Sequence, residues 1–177
     1  MKRSEFEHTI RAAASILGTD ELMVIGSQAL HATVSNELPE AAQRSIEVDV
    51  VAFDDAEGRK ADLIDGSIGE ASMFHATFGY YAQGVSESTA VLPEGWRDRL
   101  VRFETPATNG VVARCLEVHD LWISKAIANR DKDIEFCQAL LSAGIVDKAV
   151  LQSRLELVSG LAAELRQVVE RRVDGRS

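Results

Sequence analysis

Residues 45–53 read SIEVDVVAF, and this stretch decides the fold. From residue 45 to residue 50 polar and apolar side chains alternate, which is the pattern of a β-strand with two different faces. Glu47 and Asp49 are two positions apart, so their carboxylates project from the same face of that strand. Carboxylates placed in this way can bind a hard divalent cation, Mg²⁺ or Mn²⁺. The simpler interpretation, an acidic pair on a solvent-exposed face, stays open at this point.

A second signal lies upstream of this strand. Residues 22–25 form a short apolar run that is interrupted by Gly26 and Ser27, and residues 28–34 have a helical pattern. The sequence therefore predicts a strand, a Gly-Ser turn and a helix. Glycine lets the backbone approach a phosphate closely, and the serine hydroxyl can hold a phosphate together with amide groups at the start of a helix.

The remaining patterns predict alternating helices and strands, followed by a wholly helical C-terminal third. Helical periodicity in residues 6–17 ends at Gly18, and a short helix is predicted at residues 60–64. Further strands are predicted at residues 78–85, 89–92, 100–103 and 111–115. We predict an α/β or α+β protein with a core at residues 1–115 and a helical part at residues 116–177 packed on it.

Composition narrows the class of protein. The chain has 177 residues and is 46% hydrophobic, enough for a folded core. Its 19 Lys+Arg against 28 Asp+Glu give a net charge of -9, which argues against a broad basic surface for nucleic acid but is compatible with a local basic cleft.

Cys115 and Cys137 have no neighbours at zinc-ligand spacing, so we predict buried, reduced thiols. Neither a signal peptide nor a membrane span is predicted, and we expect a cytoplasmic protein.

Together these motifs resemble the signature of the DNA polymerase β-like nucleotidyltransferase superfamily, hG[GS] followed by a strand carrying [DE]h[DE]h. The matching residues are IGS at 25–27 and EVDV at 47–50. More specifically, residues 22–147 are similar to an uncharacterised bacterial nucleotidyltransferase-like family, which is related to the toxins of type IV toxin–antitoxin (abortive-infection) systems. Arg44-Ser45 before the acidic pair, and Lys125 followed by the RDKD run at 130–133, also resemble those toxins.

The resemblance implies a nucleotidyltransferase fold, in which a mixed sheet is flanked by helices and followed by a helical C-terminal part. It implies transfer of a nucleotide from an NTP to a hydroxyl of RNA, protein or a small molecule, with tRNA as the acceptor if the toxins are followed. Glu47 and Asp49 would bind Mg²⁺ or Mn²⁺, and Lys125 would act with them in catalysis. The nucleotide would contact Gly26, Ser27, Arg44, Lys125, Arg130, Lys132 and Asp133.

Active members of the superfamily are expected to carry a third carboxylate on a later strand, and its position stays open. The predicted strand at residues 78–85 offers Gln83 and no acid, so Glu104 and Asp65 are the candidates. Lack of a third acid would favour an alternative function, a catalytically degenerate module that binds a nucleotide or a protein encoded alongside. A plain α/β scaffold is a third interpretation, and clustering of Ser27, the acidic pair and Lys125 in one cleft would count against it.

Two other charged features have simpler interpretations. Without the resemblance, residues 130–133 are typical of a solvated helix start, with an aspartate favouring the helix dipole. Asp120 is expected near another helix start, where it would cap the helix or favour its dipole.

Overall fold

In the computed structural model, which describes residues 1–35 and 38–175, the chain forms a five-stranded mixed sheet flanked by helices. The strands are β1 (Glu21–Val24), β2 (Glu47–Val51), β3 (Tyr81–Gly84), β4 (Val101–Phe103) and β5 (Val112–Cys115). They lie in the order β3-β2-β1-β5-β4. The β1–β2 and β4–β5 pairs are antiparallel, and the β1–β5 and β2–β3 pairs are parallel. This architecture confirms the predicted fold class.

Helices precede, separate and follow the strands. The α-helices are α1 (Arg3–Leu17), α2 (Glu40–Gln43), α3 (Arg59–Ile68), α4 (Met73–Phe78), α5 (Val118–Ala128), α6 (Asp131–Ser142), α7 (Lys148–Glu156) and α8 (Ala163–Val173). Short 3-10 helices lie at Ser27–Ala32, Glu87–Thr89, Trp96–Arg99 and Pro106–Thr108. One hydrophobic core includes buried residues of the strands and of α5 to α8, so packing is continuous across residues 115 and 116. The division into two parts stays a prediction.

Two local predictions, on Gly18 and on the cysteines, hold in the structure. The first helix ends at Gly18, whose φ of 64° is in the left-handed region that favours glycine. Cys115 and Cys137 are free and buried. Across residues 1–35 and 38–175, no helix combines the length and the apolar character that crossing a membrane requires.

The strand predictions at 78–85 and 89–92 need correction. Residues 73–78 are helical, because Ser72 caps α4 by accepting a hydrogen bond from the His75 amide at 3.1 Å and Gly79 ends it at φ 78°. Strand β3 therefore begins only at Tyr81. The stretch at 89–92 is the end of a 3-10 helix followed by irregular chain, and the helix predicted at 60–64 extends over Arg59–Ile68.

A buried histidine makes stability depend on pH. His31 is 5% exposed and stacks on Phe6, and burial, with the charge of Arg3 adding to it, lowers its pKa from 6.5 to about 4. In the unfolded chain the imidazole takes up a proton near pH 6.5, whereas in the folded chain it stays neutral to about pH 4. The stabilising difference is therefore complete above pH 6.5 and is lost as the pH falls toward 4.

We expect acidification across this window to reduce the free energy of unfolding by roughly 2 kcal/mol through His31. Urea titrations at pH 7 and pH 4.5 measure the loss. His31→Phe should remove that part of the pH dependence, and an unchanged pH profile in His31→Phe would contradict the assignment.

Candidate active site

Asp49 lies directly against the turn that follows β1. The antiparallel β1–β2 pair continues beyond the strand end, since the Ile25 amide donates to the Asp49 carbonyl at 3.2 Å. The chain then passes the Asp49 side chain at Gly26, where an added Cβ would lie 1.6 Å from Asp49 Oδ2. Gly26 has φ -90°, a backbone conformation that any residue can adopt. Glycine is needed at this position because the Asp49 carboxylate occupies the space of a side chain.

The turn, the start of β2 and two C-terminal helices enclose a cleft of about 260 Å³. Its lining residues are Ser27, Ala41, Arg44, Ser45, Ile46, Glu47, Lys125, Lys132, Asp133, Glu135 and Phe136. Asp49 does not line the cleft, but its side chain lies against Gly26. The positive charges of Lys125, Lys132 and Arg130 also act on its carboxylate and favour the ionised form. Residues 26–27, 41–49 and 125–136 thus meet at one place, which argues against the scaffold interpretation.

Glu47 is held from two sides. The Tyr81 hydroxyl on β3 donates a hydrogen bond to Glu47 Oε2 at 3.1 Å, and Lys132 Nζ at the start of α6 lies 3.6 Å from Oε1. Burial, with the charge of Glu47 adding to it, raises the pKa of Tyr81 to about 12. Tyr81 is therefore protonated at neutral pH, and its hydrogen bond fixes the orientation of the carboxylate.

The environment of Asp49 favours a cation. Burial and the neighbouring charge of Glu47 raise the pKa of Asp49, while Lys125, Lys132 and Arg130 act in the opposite direction. A divalent cation between the two carboxylates would relieve their repulsion. Among the residues that the structure describes, no group of three or more His, Cys, Asp or Glu side chains could hold a metal. The pair fits Mg²⁺ in its common mode, with one or two carboxylates and phosphate oxygens of a substrate as ligands.

Asp133 organises the basic side of the cleft. Arg130 Nε donates to Asp133 Oδ2 at 2.6 Å, and Lys125 Nζ lies 3.4 Å from Oδ1. Burial opposes ionisation of Asp133, but the hydrogen bond from Arg130 and the charge of Lys125 outweigh it and lower its pKa. At 2% exposure, Asp133 does not belong to a solvated helix start, so the simpler interpretation of residues 130–133 is wrong for this residue. The aspartate instead holds two cations in fixed positions.

Arg44 also lines the cleft. It forms an ion pair with Glu135 on α6, and it lies 3.9 Å from Glu40 on α2. Its side chain is 60% exposed, so the guanidinium can leave these partners for a ligand at modest cost.

Neither proposed third acid lines the cleft. Glu104 follows β4, at the other end of the sheet and three strands away from β2, and pairs with Arg102. Asp65 on α3 accepts a hydrogen bond from the Gly84 amide at 2.7 Å. The residue in register with Asp49 on β3 is Gln83.

Two residues of the site were not anticipated. Tyr81 contacts Glu47 because β3 is parallel to β2 with Tyr81 opposite Glu47. Gln28 is fully buried and donates to the Ser45 carbonyl at 3.3 Å, joining the turn to the start of β2, while its Oε1 has no partner among the described residues. A prediction of sheet order would have placed Tyr81, but no local pattern indicates either contact.

Gly26→Ala is expected to disturb the acidic pair, because the new methyl group cannot occupy the space of the Asp49 carboxylate. We expect a loss of about 1–3 kcal/mol in the free energy of unfolding from overpacking. Mn²⁺ affinity should fall by on the order of tenfold, equivalent to about 1.4 kcal/mol. Denaturant titration and Mn²⁺ binding followed by electron paramagnetic resonance measure the two effects.

Gly66→Ala is the matched control for this substitution. Gly66 lies inside α3, and an added Cβ there would meet nothing within 4 Å. Alanine should stabilise this helix by about 0.5–1 kcal/mol without changing Mn²⁺ affinity. Equal behaviour of the two alanine variants would contradict the packing of Gly26 on Asp49.

Comparison with known families adds an independent finding. A family model described as "Nucleotidyltransferase of unknown function (DUF6036)" matches residues 5–170. No curated protein and no solved structure matches the chain.

Proposed function

The chain belongs to this family of nucleotidyltransferases, and we propose that it transfers a nucleotide from an NTP to an acceptor hydroxyl with Mg²⁺ or Mn²⁺. One observation carries the proposal. Glu47 and the cations Lys125 of α5 and Lys132 of α6 line one cleft, and Asp49 lies against Gly26 beside it. The family match supports the class of reaction. Metal dependence is supported by the chemistry of the acidic pair.

Glu47 and Asp49 would hold the cation, and Tyr81 would keep Glu47 in position through its hydrogen bond. When bound, the cation would neutralise phosphate charge and align the attacking oxygen. Ser27 lines the same cleft beside Gly26, and its hydroxyl would bind a terminal phosphate of the NTP.

The basic residues of the cleft would bind the triphosphate. Arg44, Lys125 and Lys132 line the cleft, and Arg130 lies beside it in its ion pair with Asp133. These four positive charges match the four negative charges of Glu47, Asp133 and Glu135 in the lining and of Asp49 behind it. Because this balance leaves no excess positive charge, a bare triphosphate would bind weakly, and a phosphate-bound divalent cation would add the missing attraction.

In the proposed reaction, the acceptor oxygen forms a bond to the α-phosphorus of the NTP. The bond between this phosphorus and the oxygen that bridges to the β-phosphorus breaks, and pyrophosphate leaves with that oxygen. The proton of the acceptor hydroxyl passes to a carboxylate of the cleft. The chain positions the reactants and stabilises charge.

The acceptor is proposed as RNA, protein or a small molecule. The toxin resemblance favours tRNA, whereas the net charge of -9 opposes a large RNA footprint. A protein encoded alongside is a candidate partner if the chain is a binding module, and we propose that the protein works in the cytoplasm.

The test is incubation of the full chain with each of the four α-phosphate-labelled NTPs, Mg²⁺ or Mn²⁺, and tRNA, total RNA, cell protein or a small-molecule extract of cells. Labelling of one acceptor class that stops when the metal is chelated is the expected result. Glu164→Gln, which changes an exposed acid on α8, should label like the wild type. Absence of metal-dependent labelling with every acceptor would reject the transferase proposal.

One observation favours a second function, a nucleotide-binding or partner-binding module without catalysis. Gln83 stands in register with Asp49, at the place where the superfamily resemblance leads us to expect an acid. This function predicts that NTP analogues bind in a metal-dependent manner while no acceptor is labelled. Gln83→Glu should not alter labelling if the chain is already an active enzyme with two carboxylates.

A further inference from the structure

Lys132 differs from the other cations of the cleft in how it is held. Lys125 and Arg130 are both bound to Asp133, and Arg130 reaches it through two hydrogen bonds. Within residues 1–35 and 38–175, Lys132 forms one ion pair, with Glu47 at 3.6 Å, and its side chain is 63% exposed. This separation is too long for a hydrogen bond, so the contact is an ion pair that exchanges at low cost.

Helix stability does not explain the position of Lys132. It lies in the first turn of α6, a 12-residue helix that begins at Asp131. A cation in the first turn opposes the helix dipole, and acidic side chains are preferred there. The favourable contact of Lys132 is therefore the one across the cleft, with the carboxylate of β2.

Building on the proposed function, we infer that Lys132 makes cation binding and nucleotide binding depend on each other. In the nucleotide-free cleft its ammonium group is the counter-ion of Glu47. When Glu47 binds a divalent cation instead, the positive charge of that cation repels the ammonium group of Lys132. The ammonium group can then form an ion pair with the phosphates of an NTP in the same cleft. Each ligand thereby lowers the cost of binding the other, and the effect is reciprocal.

The inference is tested by measuring four affinities on the full chain. Mn²⁺ is titrated with and without the α,β-methylene analogues of the four NTPs, and the analogues are titrated with and without Mn²⁺. We expect each ligand to tighten binding of the other by on the order of tenfold in the wild type. In Lys132→Met, Mn²⁺ alone should bind about fivefold more tightly, the analogue alone should bind more weakly, and the coupling should shrink.

Two further variants separate the contact from a general change of charge. Arg44→Gln removes the same charge from the same cleft without touching Glu47, so Mn²⁺ affinity should change by less than about twofold. Lys132→Arg keeps the charge and should retain most of the coupling. Equal effects of Lys132→Met and Arg44→Gln on Mn²⁺ binding, or unchanged coupling in Lys132→Met, would overturn the inference while leaving the proposed function intact. Failure of the wild type to bind either probe would overturn both.

Discussion

Asp49→Asn is expected to slow nucleotide transfer by about a thousandfold, equivalent to about 4 kcal/mol in the activation free energy. The substitution keeps the shape of the side chain and removes the charge that would hold the cation. Folding should not suffer, because burial and the charge of Glu47 already disfavour the ionised form and raise the pKa of Asp49. The melting temperature should therefore be equal to or higher than that of the wild type.

This combination of effects distinguishes a functional carboxylate from a structural one. Initial rates of label transfer and thermal melting on the same preparation measure both quantities. Glu164→Gln serves again as the control, since it changes an exposed acid outside the cleft. An Asp49→Asn protein that labels at the wild-type rate would show that Asp49 is not needed for transfer.

The largest effect on stability is expected at Asp120. This carboxylate is fully buried, and it accepts hydrogen bonds from Arg99 Nε at 2.8 Å and Arg99 Nη2 at 3.1 Å. Arg154 Nε on α7 lies 3.1 Å from its Oδ1, without the alignment of a hydrogen bond. Burial raises the pKa of Asp120 even against the hydrogen bond and the charge of Arg99. Asp120→Asn nevertheless differs from Asp49→Asn, because the amide NH2 would replace an oxygen that now accepts a hydrogen bond from Arg99 and would leave that donor unpaired, which should cost about 3–4 kcal/mol.

Denaturant unfolding measures this loss, and Asp98→Asn is the matched control. Asp98 is exposed on the same 3-10 segment as Arg99, so its replacement should change stability by no more than about 0.5 kcal/mol. Because the site lies outside the cleft, Mn²⁺ affinity of the folded Asp120→Asn protein should be unchanged. A loss below about 1 kcal/mol would show that Asp120 does not anchor α5 to α7.

Asp120 also shows where local reasoning stops. Asp120 is expected near a helix start, and it does lie in the first turn of α5, where a carboxylate favours the helix dipole. The cap, however, is Glu117, which accepts hydrogen bonds from the His119 and Asp120 amides. The capping interpretation of Asp120 is therefore wrong. Its arginine partners lie on segments distant in sequence, and no pattern near residue 120 specifies them.

The residues between α3 and β3 show a different cause of error. Phe78 and Tyr80 have the aromatic content of a strand, but Phe78 belongs to α4, which has no buried residue. The ends of this helix are set locally, by the Ser72 cap and by Gly79 in the left-handed region. Local capping therefore outweighs the strand propensity of Phe78.

The strand predicted at residues 45–53 and observed as β2 (Glu47–Val51) was determined by the sequence alone, because alternation of side chains along a strand is a local property of the backbone. The sequence alone also determined the end of β1 at Gly26, because glycine interrupts the apolar run of that strand. It determined the helical C-terminal third as well, because apolar residues recur there with the period of a helix. Only the tertiary structure decided that Gly26 packs on Asp49, that Tyr81 and Lys132 contact Glu47, and that Gln83 stands beside Asp49. Sheet order and helix packing bring these residues together, and both depend on burial of the whole core, which no short stretch of sequence specifies.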